Sequence, residues 1–275
     1  MAERPLLTFL SDYGLDDEFV GVCHGVIARR CPAARVIDIA HAIPRHDIRA
    51  GALVLAGSIP YMPPGVHLAV VDPEVGAVGE HARRAVAVRP ASAGSLLVGP
   101  DNGLLALALE RLGGALEAVE IGRSSERLEP VSATFHGRDI FAPVAAALAA
   151  GEPLAGIGEP LDVESLRALE LPAAVVGERE LRAHALHFDH FGNITLNASH
   201  DQLGRAGLRL GAELVIELGA EQRRGRYATT FADVAPGELL LYEDAHGMTA
   251  LAINRGSARD ALQIARDDEL LVRPA

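Results

Sequence analysis

Leu6-Leu7-Thr8-Phe9-Leu10-Ser11-Asp12-Tyr13-Gly14 decides the reading of the fold. An apolar run from Leu6 to Leu10 is cut off by a serine and a carboxylate, and glycine then frees the chain to turn. Outward from it the pattern alternates. Phe19 to Ala28 has helical period, Val36 to Ile39 is a short apolar run, Ile48 to Ala56 is helical again, and Val66 to Val71 is a further run. This strand, helix, strand rhythm predicts an α/β domain with a mostly parallel sheet. Strands are also predicted at Ala85 to Val88 and Ser95 to Val98, and helices at Leu104 to Leu112 and at Phe141 to Ala150, the latter stopped by Gly151.

From Glu159 to Glu180 proline, glycine and charged residues dominate, with only a short helical stretch, as in an interdomain linker. The expected division is residues 1–170 for the α/β domain and 171–275 for a smaller all-β, barrel-like domain. Its predicted strands are Arg182 to Phe188, Ile194 to Leu196, Glu213 to Leu218, Glu238 to Tyr242, Thr249 to Ile253 and Glu269 to Val272.

Composition removes several classes of function. The formal charge of −12 argues against a surface that tracks nucleic-acid phosphates. Every basic residue is arginine, so no lysine is present for a Schiff base or a Walker-A loop. Cys23 and Cys31 lie in or beside one helical pattern and predict buried, reduced thiols. No signal-peptide pattern opens the sequence and no run approaches the ~18 apolar residues of a membrane span. The expectation is a cytoplasmic protein without membrane or nucleic-acid partners. There is no H-E-x-x-H, C-x-x-C, EF-hand, G-x-S-x-G or G-x-G-x-x-G pattern, so neither a required metal nor a bound cofactor is expected.

Carboxylates end the apolar runs. Asp12 follows the first, and Asp72, in Val71-Asp72-Pro73-Glu74-Val75-Gly76, follows another. Open α/β sheets bind ligands at such strand ends, although an isolated Asp there serves equally well as a turn or helix cap. Asp16, Asp17 and Glu18 read as helix-start residues. Pro100-Asp101-Asn102-Gly103 reads as ordinary turn chemistry. His136 stands between Phe135 and Gly137 ahead of an apolar helix, and Arg138 with Asp139 reads as a surface pair. Phe188-Asp189-His190-Phe191-Gly192-Asn193 combines carboxylate, aromatic face, glycine and amide, the profile of a site loop.

As an ordered set these segments resemble the S-adenosylmethionine hydroxide adenosyltransferases, hydrolytic relatives of the fluorinating and chlorinating enzymes. The resemblance runs through Leu7 to Gly14, His41-Ala42-Ile43-Pro44, Val70 to Pro73, Gly99 to Leu104, Thr134 to Pro143, Asp189 to Asn193 and Asn254-Arg255-Gly256-Ser257-Ala258. It implies hydrolysis of S-adenosyl-L-methionine to adenosine and L-methionine by an activated water, and a homotrimer whose sites lie between subunits. It also implies a water-activating triad of Asp72, Arg83 and His136, and a ribose contact from Asp12. The methionine end and the adenine would meet Asp189, Phe191 and Asn193, with Arg255 at the adenine edge.

Two departures stand out. Glu74 replaces a usual glycine and would carry strain if φ is positive there. The loop from Gly76 to Arg83 is longer than usual and offers both Arg83 and Arg84 to the triad. Consecutive residues entering a strand face opposite sides, so only one serves; alignment to the following strand favours Arg83. Halide-dependent 5′-halogenation is one alternative, disfavoured because Gly137 stands where the halogenating relatives place a serine and Asp72 replaces an aromatic residue. The others are an adenosyl-ligand binding protein without turnover and a metal-dependent phosphoesterase.

Overall fold

The computed structural model describes residues 4–79 and 82–275. They form two compact units, divided between Leu169 and Glu170. The first holds β1 (Leu6–Ser11), α1 (Phe19–Arg30), β2 (Arg35–Ala40), α2 (Ile48–Ser58), β3 (Val66–Val70), β4 (Ala85–Pro90), β5 (Leu96–Pro100), α3 (Ala106–Arg111), β6 (Ala115–Glu120), α4 (Ala142–Ala149), α5 (Leu154–Ile157) and β7 (Glu159–Leu161). The strands lie in the order β2, β1, β3, β5, β4, β6, β7. β2, β1, β3 and β5 pair in parallel, whereas β4, β6 and β7 join antiparallel, so β4 and β7 alone oppose the common direction. The sheet is therefore mostly parallel.

Alternation along the strands fills a core on each face. Leu7, Phe9, Leu68, Val70, Ala85 and Ala87 pack with Val20, Cys23 and Ile27 of α1 and with α4. Leu10, Ala69, Val86, Val88 and Leu97 pack with Leu55 of α2 and with Leu104, Ala108 and Leu109 around α3. α4 is alanine-rich and buried nearly all round, which suits a helix pressed into the core. Cys23 and Cys31 are free and buried.

Topology fixes where the chemistry collects. β1, β3 and β5 run parallel, so Asp12, Asp72 and Asp101 follow their C-terminal ends along one edge. β4 pairs antiparallel with β5, Ala85 opposite Pro100, and this brings Arg83 and Arg84 to the same edge.

The second unit holds β8 (Val175–Gly177), β9 (Glu180–Phe188), β10 (Ile194–Leu196), α6 (His200–Arg205), β11 (Glu213–Leu218), β12 (Glu221–Tyr227), β13 (Leu239–Glu243), β14 (Thr249–Ile253), α7 (Ala258–Leu262) and β15 (Glu269–Pro274). The order β10, β14, β13, β12, β11, β15, β9 closes into a barrel because β9 also pairs with β10, and β8 adds outside β9. Leu181, Ala183, Ala185, Leu214, Ile216, Leu241, Leu251 and Val272 fill its interior.

The stretch from Glu159 to Glu180 departs from the linker reading. Glu159–Leu161 pairs with β6 as an edge strand of the first sheet, where Pro160 is tolerated, and Val175–Gly177 pairs with β9. β12 is a strand without an apolar signature: in Glu-Gln-Arg-Arg-Gly-Arg-Tyr only Gly225 and Tyr227 are buried. Among the described residues no helix is long and apolar enough to cross a membrane.

Candidate active site

Asp72 leaves the end of the buried β3 with its backbone held on both sides. Asn102 donates from Nδ2 to the Val71 carbonyl at 2.9 Å, and the Val75 N–H returns to the Asp72 carbonyl at 3.3 Å. The turn closes at Gly76, whose φ is +72° and where a Cβ would meet the Ala133 carbonyl oxygen at 2.1 Å. Glu74 has no positive φ, so the strain anticipated for it does not arise; the left-handed position belongs to Gly76. Glu74 instead accepts from Arg167 Nη1 at 3.2 Å. Of the loop from Gly76 to Arg83, residues 80 and 81 lie outside the described residues.

Arg83 grips Asp72 with a two-pronged ion pair. Nε donates to Oδ1 at 2.9 Å, and Nη2 donates to Oδ2. The side chains are only 4% and 6% exposed, so each charge depends on the other for its compensation. The guanidinium also lies 5.2 Å from the centre of the Phe141 ring. Its Nη2 makes a further contact with His136 Nδ1 at 2.8 Å. Arginine has only donors, so Nδ1 accepts and the proton of a neutral imidazole sits on Nε2. Desolvation and then the Arg83 charge lower the His136 pKa, partly offset by Asp72 and Asp139, which keeps the ring neutral at pH 7. The cluster thus presents a carboxylate acceptor beside an imidazole donor, the pair needed to hold and orient a water.

Arg84 faces elsewhere. Its Nε donates to Asp101 Oδ2 at 2.8 Å and its Nη1 to Ser165 Oγ at 2.9 Å. Asp101 Oδ1 also accepts from the Arg167 N–H at 2.8 Å, so Arg84 and Asp101 tie the edge of this unit together. Asp139 is buried and not the surface residue expected: its carboxylate holds Arg138 and the Ser132 N–H, and its carbonyl accepts from the Leu128 N–H. A buried carboxylate here closes the loop before His136, since the single π-type turn Gly137–Phe141 begins there. Asp12 is half-buried and accepts the His46 N–H on Oδ2 at 2.9 Å. Tyr13, which the sequence does not single out, fills the space against Gly137: a Cβ on residue 137 would lie 1.9 Å from the Tyr13 hydroxyl. Its ring packs edge-on against Phe9 and Phe135.

In the second unit Asp189 organises the predicted site loop. Oδ1 accepts from the Phe191 and Asn193 N–H groups, both at 2.9 Å, and Oδ2 from Asn193 Nδ2 at 2.7 Å. Gly192, at φ +80°, presses against Ser257, where a Cβ would meet Oγ at 2.1 Å, and its carbonyl accepts from the Arg259 N–H at 2.9 Å. The loop is thereby locked to the Asn254–Ser257 segment, in which Arg255 takes φ +61°. Such a left-handed arginine is a local cost of the kind that gathers at ligand sites. Phe191, Asn193, Phe231, Ile253, Asn254 and Arg255 line a cleft of about 450 Å³, with Phe191 74% exposed.

Residues 7–158 match the N-terminal domain and residues 183–271 the C-terminal domain of SAM hydroxide adenosyltransferase. The chain belongs to the SAM hydroxide adenosyltransferase family. Within this family it is 47% identical over 272 residues to the (R)-S-adenosyl-L-methionine hydrolase of Salinispora tropica, covering 99% of both chains. Against the Thermus thermophilus protein of the same name it is 42% identical, over 94% of this chain and 95% of that one. A fluorinase from Nocardia brasiliensis is 30% identical over 92% of each. The crystal structure of an uncharacterized conserved protein from Thermotoga maritima superposes with a TM-score of 0.88 at 33% identity, over 97% of this chain and 99% of that one.

For this family member the structure brings Asp72, Arg83 and His136 into one hydrogen-bonded cluster, with Asp12 following the end of β1 on the same sheet edge. Phe191, Asn193 and Arg255 share a cleft in the other unit, and Asp189 anchors its loop. Phe231 lines that cleft and packs 5.1 Å from Tyr242. Its only sequence signal is an aromatic within a turn, Thr230-Phe231-Ala232-Asp233.

Proposed function

We propose that the chain hydrolyses S-adenosyl-L-methionine to adenosine and L-methionine. The observation that carries this reading is the buried Asp72–Arg83 pair with His136 beside it. Methionine leaves a sulfonium as a neutral group and needs no protonation, so the difficulty lies in a weak nucleophile, water. Asp72 accepts a hydrogen bond from that water and His136 Nε2–H orients it. The oxygen–C5′ bond forms as the C5′–sulfur bond breaks with its electron pair going to sulfur. The displaced water proton passes to Asp72 and then to solvent. No Lewis acid is required, and we assign no metal or cofactor to the reaction.

Asp12 takes the ribose hydroxyls, where a carboxylate makes charge-assisted hydrogen bonds. Phe191 stacks the adenine, Arg255 meets its edge, and Asn193 contacts the methionine end from the loop shaped by Asp189. We also propose a cytoplasmic homotrimer whose sites combine both domain types from different subunits. The 1–170 and 171–275 division of labour supports that reading, because water handling and adenine stacking reside on separate units.

Two features weigh against halogenation. A carboxylate aimed at the attacking position repels a halide, and a serine at residue 137 would collide with the Tyr13 hydroxyl. Incubating the purified chain with S-adenosyl-L-methionine, with and without fluoride or chloride, and separating the products tests the proposal. Adenosine independent of halide is expected. A 5′-halogenated nucleoside would transfer the chain to the halogenating class, and unchanged substrate would make it a binding protein.

A further inference from the structure

A second cluster, sharing no residue with the water-handling one, sits where α1 crosses the edge strand β2. His24 projects from α1, Asp38 from β2, and His41 follows that strand. His24 Nε2 lies 2.9 Å from Asp38 Oδ1, and His41 Nε2 lies 3.1 Å from the same oxygen. The ligand atoms of the three residues all fall within 4.8 Å of one another.

His41 is the decisive member. It is only 6% exposed, and its Nε2 has no hydrogen-bond partner, because the approach to Asp38 is off the hydrogen-bonding direction. Its other nitrogen, Nδ1, is engaged by Ser11 Oγ at 2.8 Å. In the tautomer that gives the Nδ1 proton to Ser11, Nε2 carries a buried lone pair with no donor to satisfy it, and a carboxylate oxygen lies 3.1 Å away. Two acceptors this close repel, and a cation shared by both reverses the sign of the interaction.

We infer that His24, Asp38 and His41 form a binding site for a divalent transition metal of the zinc class. Metal–nitrogen and metal–oxygen bonds of about 2.0–2.2 Å in a tetrahedron place ligand atoms roughly 3.3 Å apart. The two spacings to Asp38 Oδ1, 2.9 and 3.1 Å, already approach this, while the two imidazoles lie within 4.8 Å of each other. Two imidazoles and a single carboxylate suit zinc, cobalt or nickel; calcium and magnesium demand oxygen ligands. Ser11 holds the other ring nitrogen of His41, as outer partners hold ligating histidines and fix their tautomer in zinc sites. Phe9 braces both rings, with its centroid 4.7 Å from His41 and 6.1 Å from His24. His24 and Asp38 are partly exposed, which leaves a path for the ion and positions for water.

An alternative role as a serine nucleophile relay fails on access, since Ser11 is fully buried. The metal's place is structural. The His41 carbonyl accepts the Gly14 N–H at 2.7 Å, and Ser11 Oγ accepts the Tyr13 N–H at 3.3 Å, so fixing His41 clamps the loop that carries Asp12.

The test is a zinc titration of the metal-stripped full-length chain by calorimetry, repeated with cobalt and followed by visible absorption. One equivalent should bind to the wild type, raise Tm, and resist displacement by excess magnesium. His41→Gln should abolish that equivalent. His24→Gln, a change at a half-exposed residue that leaves folding intact, should weaken it by about tenfold or more. Zinc binding of wild-type strength in both variants, or none to the wild type, would overturn the assignment. Because metal is read directly, the outcome is independent of whether the chain hydrolyses S-adenosyl-L-methionine.

Discussion

Asp72 and Asp189 are both aspartates that follow the last residues of a strand, and they are held in opposite ways. The oxygens of Asp72 are gripped by a guanidinium, itself buried and touching an imidazole from a third segment. The oxygens of Asp189 accept N–H groups from within four residues of it. The first arrangement exists only when distant segments have folded together, and it holds a charge out of water. The second is a self-contained loop that leaves Phe191 74% exposed. On the proposed mechanism the long-range pair prepares Asp72 for chemistry, and the locally capped loop presents Phe191 for binding. The comparison predicts different kinetic consequences on the two sides.

The largest effect belongs to the Asp72 side. Asp72→Asn should lower kcat on the order of 10³-fold with little change in KM. Asp72→Ala should in addition cost about 3–5 kcal/mol of stability, because Arg83 is left buried and unpaired. Denaturant unfolding and steady-state kinetics on both variants separate these losses, and a change in KM alone would make Asp72 a binding residue. On the other side, Phe191→Ala should raise KM by about 5- to 150-fold, the 1–3 kcal/mol typical of base–aromatic stacking. Its kcat should hold, and a kcat loss matching that of Asp72→Asn would erase the distinction between the two regions.

The sheet of the first unit should also show a pH sensitivity of its own. His67 is buried against Thr8 and Ser95, and desolvation lowers its pKa from 6.5 to about 4. A histidine depressed in the folded state is neutral there while the unfolded chain takes up a proton. Its stabilising contribution is thus complete above pH 6.5 and is lost as pH falls toward 4. The shift corresponds to about 3 kcal/mol. Unfolding measured across that window should show a shallower acid loss in His67→Asn than in the wild type; identical slopes would remove His67 as the cause. The smallest effect expected is on kcat after exhaustive chelation. It should be unchanged, any loss falling on KM through the loop that carries Asp12, and a kcat that returns only with added divalent ion would refute a metal-free displacement.

Much of this architecture is legible in the residues. Apolar runs ended by Ser11-Asp12 and Val71-Asp72 announce parallel strands and place their carboxylates, because one-dimensional hydrophobic pattern and turn chemistry suffice for both. Strand alternation separates Arg83 from Arg84 for the same reason, and the two do face different partners. β12 is illegible because its pairing groups are backbone atoms and its side chains are arginines and glutamates in solvent. β7 hides as a linker because Pro160 is acceptable only at an edge. Tyr13 against Gly137, Phe231 in its cleft, and the His24–Asp38–His41 cluster are products of tertiary approach, and no spacing in the sequence encodes them.

The central claim is that Asp72 and His136 deliver a water to C5′. The direct measurement is turnover of S-adenosyl-L-methionine in water enriched in oxygen-18, with the nucleoside product examined by mass spectrometry. Wild-type enzyme should yield adenosine carrying the heavy oxygen on its 5′ carbon, at a rate that Asp72→Asn nearly eliminates. Unlabelled adenosine, or full label incorporation at an undiminished rate in Asp72→Asn, would contradict it.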